Sequence, residues 1–291
     1  MTKHDITFLT YNKLPHGDPD DLLALNLLAA RGYKTQAAVW NDAAVDWSQA
    51  GLCVLRSTWD YHLHFAEFSA FLERLAKTTT LLNPIELLRY SSDKRVYMED
   101  LAAKGAPVVQ TTWFAKGESV DLASQLHGHG WQKAVIKPGV GCGTFGVKKV
   151  TADDAGIAAG QEHLEKLLER GAAMLQPYLE GVHTYGERAL SFIDGRYSHA
   201  TRKTAFQALL PTGEAGEQPV KATRREITAA QRVVALLHPR PLYARVDLVP
   251  DHAGRPCVLE LELLEPSLFL SMDKRHAPKR FADAIERALA G

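Results

Sequence analysis

Arg245-Val246-Asp247 is followed, one turn-forming stretch later, by Glu260-Leu261-Glu262. Residues two apart in a strand share a face. Glu260 and Glu262 therefore project together, and an adjacent antiparallel strand can set Arg245 and Asp247 beside them. Three carboxylates on one sheet face are costly unless a cation neutralises them. Magnesium suits such a group, because it takes oxygen ligands and bridges to phosphate. A solvated strand with alternating charge has the same spacing. Here Leu259, Leu261 and Leu263 make the opposite face apolar, so the acids occupy a defined surface.

A second set is Ile136-Lys137-Pro138, followed by Gly139, Gly141, Gly143 and Gly146 within the run to Val147. Glycines let backbone N–H groups approach an anion, and Lys137 adds a point charge for phosphate. The run differs from a Walker loop, which ends in Gly-Lys-Ser/Thr before a helix, and from a Rossmann turn, because a strand follows the glycines. It reads either as a flap over nucleotide phosphates, with Gly141, Gly143 and Thr144 at its tip, or as an ordinary glycine-rich hairpin. A third set, Gln176-Pro177-Tyr178-Leu179, is a strand stopped by proline. Its exposed backbone could read an adenine edge or simply form a hinge.

These residues need elements to hold them. Ile6 to Thr10, Thr35 to Trp40 and Leu52 to Arg56 read as strands. Asp18-Pro19 starts a helix that stops at Arg31-Gly32, and Phe65 to Lys77 reads as another. Strands alternating with helices make residues 1–91 an α/β domain. A new helix begins near Ser92-Asp93 and ends at Lys104-Gly105. Further on come a strand (Lys133 to Lys137), a helix (Asp153 to Leu168) and a strand (Ala172 to Gln176). A hairpin turns at Asp194-Gly195, Glu226 to Leu237 is helical, and two strands flank Asp251 to Gly254. Lys279 to Ala290 forms the last helix. Residues 205–221 read as a mobile surface loop. Hairpins beside helices make residues 92–291 α+β.

Lys plus Arg and Asp plus Glu each number 34, giving zero formal charge. That balance argues against bulk nucleic-acid or anionic-membrane binding. The basic run Lys274-Arg275-His276 has no interleaved aromatics to stack bases. No apolar run is long enough for a transmembrane helix, and Met1 to Asn12 lacks the pattern of a signal peptide. Cys53, Cys142 and Cys257 fit neither a disulfide framework nor a zinc site, so a reducing cytoplasm is the simplest home.

In this order the pieces resemble the ATP-grasp superfamily, in the branch similar to prokaryotic glutathione synthetase. The resemblance spans about residues 92–272. It rests on Ser92-Asp93-Lys94, the Lys137 strand and its glycines, Gln176 to Leu179 and Gly186-Glu187-Arg188. It continues through Arg202-Lys203, Arg245-Val246-Asp247, Glu260-Leu261-Glu262 and Leu264-Glu265-Pro266-Ser267. Arg56 to Tyr61 and Glu260 to Leu270 look most like the subgroup that includes the cycloserine-forming cyclo-ligase.

The resemblance implies an N-terminal α/β substrate domain over 1–91 and an ATP-grasp domain over 92–291, with a lid subdomain at about 108–178. It implies that Lys94 and Lys137 contact nucleotide phosphates. Gln176, Tyr178 and Leu179 would line the adenine pocket, and Glu187 would serve the ribose or a polar network. Asp247, Glu260 and Glu262 would hold magnesium, two ions in all. Arg188, Lys203 and Arg245 would face the γ-phosphate or the acyl phosphate. The branch commonly has Asn where Glu262 stands. The implied reaction moves the γ-phosphate of ATP onto a carboxylate, after which an amine or similar nucleophile displaces phosphate. The substrate would be a small amino acid or peptide.

Two rivals keep the nucleotide: a small-molecule kinase on the same fold, and a non-catalytic nucleotide-binding module. The intact set Lys94, Lys137, Asp247, Glu260 and Glu262 argues against the second. Arg56 and Thr58, at the C-terminal end of a parallel strand, are expected to contact substrate, or else form a loop anchored by Trp59. Ser267 is expected to hold substrate or cap a turn. Relatives in the family are often dimers or tetramers, so a homodimer is the expected assembly.

Overall fold

Three sheets organise the chain in the computed structural model, which describes residues 4–204 and 216–290. The first contains β1 (His4–Thr10), β2 (Thr35–Val39), β3 (Ala50–Ser57) and β4 (Thr80–Leu82), all parallel, in the order β2-β1-β3-β4. Helices α1 (Pro19–Ala30) and α2 (Phe65–Thr78) connect them. Strands covered on both faces read as continuous apolar runs, as Leu52 to Leu55 does. Helix α1 starts where Asp18 accepts a hydrogen bond from the Asp20 amide at 2.9 Å, with Pro19 at its first position.

Two helices follow, α3 (Ile85–Ser92) and α4 (Lys94–Ala103). Asp93 caps α4 by accepting from the Arg95 amide at 2.9 Å. The sequence shows that cap but not α3, whose start at Pro84 has no side-chain cap. The next sheet comprises β5 (Thr112–Phe114), β6 (Lys133–Pro138), β7 (Lys148–Thr151) and β8 (Ala173–Pro177), in the antiparallel order β5-β8-β6-β7. Helices α5 (Leu122–His129) and α6 (Asp154–Arg170) pack on it through Leu122, Leu126, Leu164 and Leu168.

After the short α7 (Gly181–Thr184), a five-stranded antiparallel sheet forms from β9 (Glu187–Ile193), β10 (Arg196–Lys203), β11 (Glu217–Val220), β12 (Tyr243–Pro250) and β13 (Pro256–Glu262). Its order is β11-β10-β9-β12-β13. Asp194 and Gly195 turn the β9–β10 hairpin with φ of +51° and +67°, as a type I′ turn requires. Helix α8 (Arg224–Ala235) opens with a capping box between Thr223 and Glu226. The expected loop at 205–221 is corrected at its end: Glu217 to Val220 pair with Ala200 to Lys203. Residues 205–215 lie outside the described residues.

One face of this sheet packs Leu190, Phe192, Ala244, Val246 and Leu248 against α8 and α4. Helix α9 (Ala277–Ala290) returns to the first sheet. Its Phe281, Ala282 and Ile285 share a core with Ile6 and Phe8 of β1 and with Leu242 and Tyr243. Among the described residues, no helix is long and apolar enough to cross a membrane.

Candidate active site

Register explains the centre of the site. Across β12 and β13, Arg245 pairs with Glu262 and Asp247 with Glu260. Ala244, Val246 and Leu248 face α8, so the pleat turns Arg245 and Asp247 the other way. Ligand atoms of Asp247, Glu260 and Glu262 lie within 4.8 Å of one another. Cations interleave them. Arg245 Nε donates to Asp247 Oδ1 at 2.8 Å and its Nη2 to Oδ2 at 2.9 Å, and it also pairs with Glu262. Lys203 Nζ reaches Asp247 Oδ2 at 2.8 Å and pairs with Glu187. Lys137 Nζ stands 3.5 Å from Glu260.

Burial works against every carboxylate here. For Asp247, Arg245 and Lys203 outweigh it and hold the carboxyl well below its usual range. Lys94 and Lys137 likewise outweigh burial at Glu260 and lower it. Burial prevails at Glu262, which is raised. It also prevails at Glu187, pushed up to about 7 despite Lys203. Such a wall of fixed, alternating charge can take a divalent cation and a polyphosphate together, since both signs are already in place.

A cleft of about 980 Å³ opens over this wall. Lys94, Lys137, Gly141, Gly143, Thr144 and Glu187 line it, as do Gln176, Tyr178, Leu179, Lys203, Arg245, Glu260, Glu262 and Ser267. Lys94 Nζ donates to the Gly141 carbonyl at 3.0 Å, and the Tyr61 hydroxyl reaches the same oxygen at 3.4 Å. The glycine run is thus tied to α4 and to the first domain. Gly143 has φ +58°, where a side chain would strain the loop. Gln176 Nε2 donates to Thr111 Oγ1 at 3.0 Å. Its Oε1 is buried without a hydrogen-bond partner, as is the Tyr178 hydroxyl. Lys149 Nζ sits 3.9 Å above the Tyr178 ring.

The stretch Leu264 to Phe269 is held carbonyl by carbonyl. The Tyr243 hydroxyl lies 3.0 Å from Leu264 O, and Trp59 Nε1 donates to Glu265 O at 3.1 Å. Arg56 Nη2 donates to Pro266 O at 2.7 Å and Arg245 Nη1 to Ser267 O at 3.0 Å. Ser191 Oγ donates to Leu268 O at 2.8 Å. His199 Nε2 lies 2.8 Å from Leu268 O and 2.9 Å from Phe269 O. Carbonyls only accept, so Nε2 carries the proton. Phe269 adopts φ +55°, rare for a bulky residue, and its ring lies 5.4 Å from the Arg245 guanidinium carbon.

Three expected site residues sit elsewhere. Arg56 is 1% exposed, paired with Asp21 at 2.9 Å, and its guanidinium carbon lies 4.9 Å from the Tyr243 ring and 5.4 Å from that of Phe281. It braces the Pro266 stretch and does not enter the cleft. Thr58 is fully buried, its hydroxyl without a partner. Arg188 shares a strand face with Leu190 and Phe192, toward α8. There it lies 3.7 Å from Glu226 and stacks on Tyr185 at 3.8 Å. The alternation that brings Glu260 and Glu262 together sends Glu187 and Arg188 to opposite faces.

Other cleft residues carry no sequence signal of their own. Asp18, Trp59, Tyr61 and Glu265 all line it. Asp18 reads only as a helix cap, and Glu265 only as part of a motif. Burial, then Glu262, pushes Glu265 up to about 8.

Comparison with known proteins follows the same lines. The family described as D-cycloserine synthetase DcsG, N-terminal domain, matches residues 6–83. The cycloserine biosynthesis protein DcsG of Streptomyces lavendulae is 37% identical over 274 residues, which is 89% of this chain and 90% of that protein. The crystal structure of D-cycloserine synthetase DcsG superposes with a TM-score of 0.86 at 34% identity, over 98% of this chain and 99% of that one. The ATP-grasp ligase PsnB, complexed with a minimal precursor, Mg and ADP, gives 0.66 at 16% identity over the whole of both chains. At that identity the likeness is one of fold.

Proposed function

Because the chain belongs to the ATP-grasp ligases, in the family of DcsG, we propose that it closes a ring within one small aminooxy amino acid, joining its carboxylate to its own nitrogen. The chain is an ATP-dependent ligase. The ring-closing reading is supported by the likeness to a cycloserine synthetase across nearly the whole length of both chains. Opening the ring amide of cycloserine with water gives β-aminooxyalanine, so that amino acid is the natural probe.

The observation that carries the chemistry is the charged wall of Asp247, Glu260 and Glu262, interleaved with Lys203, Arg245 and Lys137. Clustered carboxylate oxygens fit magnesium, and in this reading the three acids hold two ions. Bound magnesium neutralises charge on the transferring phosphoryl group. Lys94 and Lys137 hold the nucleotide phosphates. Gln176 Oε1, buried and unpartnered, is free to accept from an adenine amino group beside Tyr178 and Leu179.

The substrate carboxylate attacks the γ-phosphorus, the bond to the bridging oxygen breaks, and ADP leaves. The nitrogen then attacks the acyl carbon. The C–N bond forms, the C–O bond to phosphate breaks, and the nitrogen gives up a proton. Lys203 and Arg245 face the negative charge of both steps. The glycine run, tied by Lys94 and Tyr61, keeps water from the acyl phosphate. Ser267 meets the substrate from the braced stretch. A cytoplasmic homodimer completes this reading, and sedimentation checks the assembly.

The test is incubation with ATP, magnesium and β-aminooxy-D-alanine, followed by mass spectrometry. ADP, free phosphate and cycloserine are expected in equal amounts. Phosphate retained on the amino acid would make the enzyme a kinase. No product from this probe would overturn ring closure.

A further inference from the structure

Most cleft acids near the wall already have a cation. Glu187 has Lys203, Glu260 has Lys137, and Glu262 has Arg245. Glu265 differs. It is 7% exposed and borders the cleft, yet forms no ion pair within 4.0 Å among the described residues. The Cys142 thiol beside it is only a weak donor. It stands outside the Asp247, Glu260 and Glu262 cluster. Its backbone is fixed, because Trp59 holds its carbonyl and Pro266 follows it. Lys94, across the same cleft, acts on Glu265 only at a distance. A buried carboxylate with no cation in contact is costly, and a cationic ligand lowers that cost.

We infer that Glu265 is a specificity residue that receives the ammonium group of an amino-acid substrate, with its fixed backbone setting where that group sits. The inference rests on the amino-acid reading of the cleft given above. Glu265 thereby selects α-amino acids over the corresponding plain carboxylic acids. An anionic or neutral group at the same place would leave the carboxylate unpaired or repelled. The tendency of burial to keep Glu265 protonated points the same way, since an arriving cation favours the charged form.

The test uses protein loaded with AMP-PNP and magnesium, titrated calorimetrically with D-serine and with 3-hydroxypropionate. The two probes differ by the ammonium group alone. Wild type is expected to bind D-serine about tenfold to a hundredfold more tightly, the worth of a charge-assisted hydrogen bond. Glu265→Gln is expected to erase that preference, with AMP-PNP affinity serving as the check on folding. A preference retained in Glu265→Gln, or no preference in wild type, overturns the inference. Turnover of β-aminooxyalanine is read separately. If it fails while the ammonium preference holds and depends on Glu265, ring closure falls and the role of Glu265 stands. If turnover succeeds and the preference ignores Glu265→Gln, the reverse follows.

Discussion

Arg56 and Asp21 form an ion pair at 2.9 Å, with side chains 1% and 5% exposed. The same guanidinium reaches Pro266 O on the cleft wall. One buried charge pair thus links helix α1, strand β3 and the stretch that carries Ser267.

Breaking that pair should damage stability before it damages binding. Asp21→Ala leaves Arg56 charged, buried and without its partner, at a cost of about 3–5 kcal/mol. Urea unfolding is the measurement. A near-native midpoint for Asp21→Ala would return Arg56 to the cleft as a substrate contact.

Glu260→Gln should leave the fold intact and remove magnesium-dependent turnover. The expected fall in kcat is roughly a hundredfold or more, the scale of losing one preorganised electrostatic group. Circular dichroism checks the fold, and ADP release checks the turnover. Full activity would remove Glu260 from the metal site.

Lys137→Ala should weaken ATP binding by roughly tenfold or more, the worth of a charged hydrogen bond. Equilibrium binding of AMP-PNP reads this directly. Unchanged affinity would make the glycine run an ordinary hairpin.

His199 predicts a pH dependence. Burial lowers its proton affinity, while the carbonyls of Leu268 and Phe269 partly offset that. The folded protein therefore favours the neutral ring, whereas the unfolded chain gains a proton near pH 6.5. The contribution of His199 is complete above that pH and falls as pH drops, by up to about 1.4 kcal/mol per unit until the folded ring also titrates. Glu187 and Glu265, both raised, act in the opposite sense, so the readout is a difference: between pH 8 and pH 5.5 the unfolding stability of His199→Gln should fall less, or rise more, than that of wild type. An identical pH dependence in both would remove His199 from the account.

Arg188→Met should change kcat by less than roughly threefold, because Arg188 faces α8 and touches no reacting group. Its expected cost is in stability, about 1–3 kcal/mol, as Glu226 loses a buried partner. A large fall in kcat at unchanged stability would put Arg188 back among the cations of the cleft.

Strand arithmetic made the centre of the site legible. Two-residue spacing joined Glu260 to Glu262 and Arg245 to Asp247, and hairpin register brought the pairs together. Arg188 is placed in the site by the family resemblance alone, and the pleat turns it away from Glu187 toward α8. Arg56 shows a different limit. The end of a parallel strand is a good place for a ligand contact, but only the packing of Tyr243 and Phe281 encloses the guanidinium. Helix α3 and strand β4 are short and lack strong caps or alternation, so tertiary packing decides them. The bracing of Leu264 to Phe269 comes from donors as distant as Arg56 and Ser191, which no local pattern connects.

The closing helix has a consequence for how the molecule is made. Ile6 and Phe8 are translated long before Phe281 and Ile285, with which they share a core. Until α9 is made, the first sheet has only α1 over that face and leaves apolar surface open, a state prone to wrong partners. A fragment stopping at residue 91 would keep all four of its strands and still lack the Phe281, Ala282 and Ile285 side of its core. Strand β1 and helix α9, far apart in sequence, complete one core.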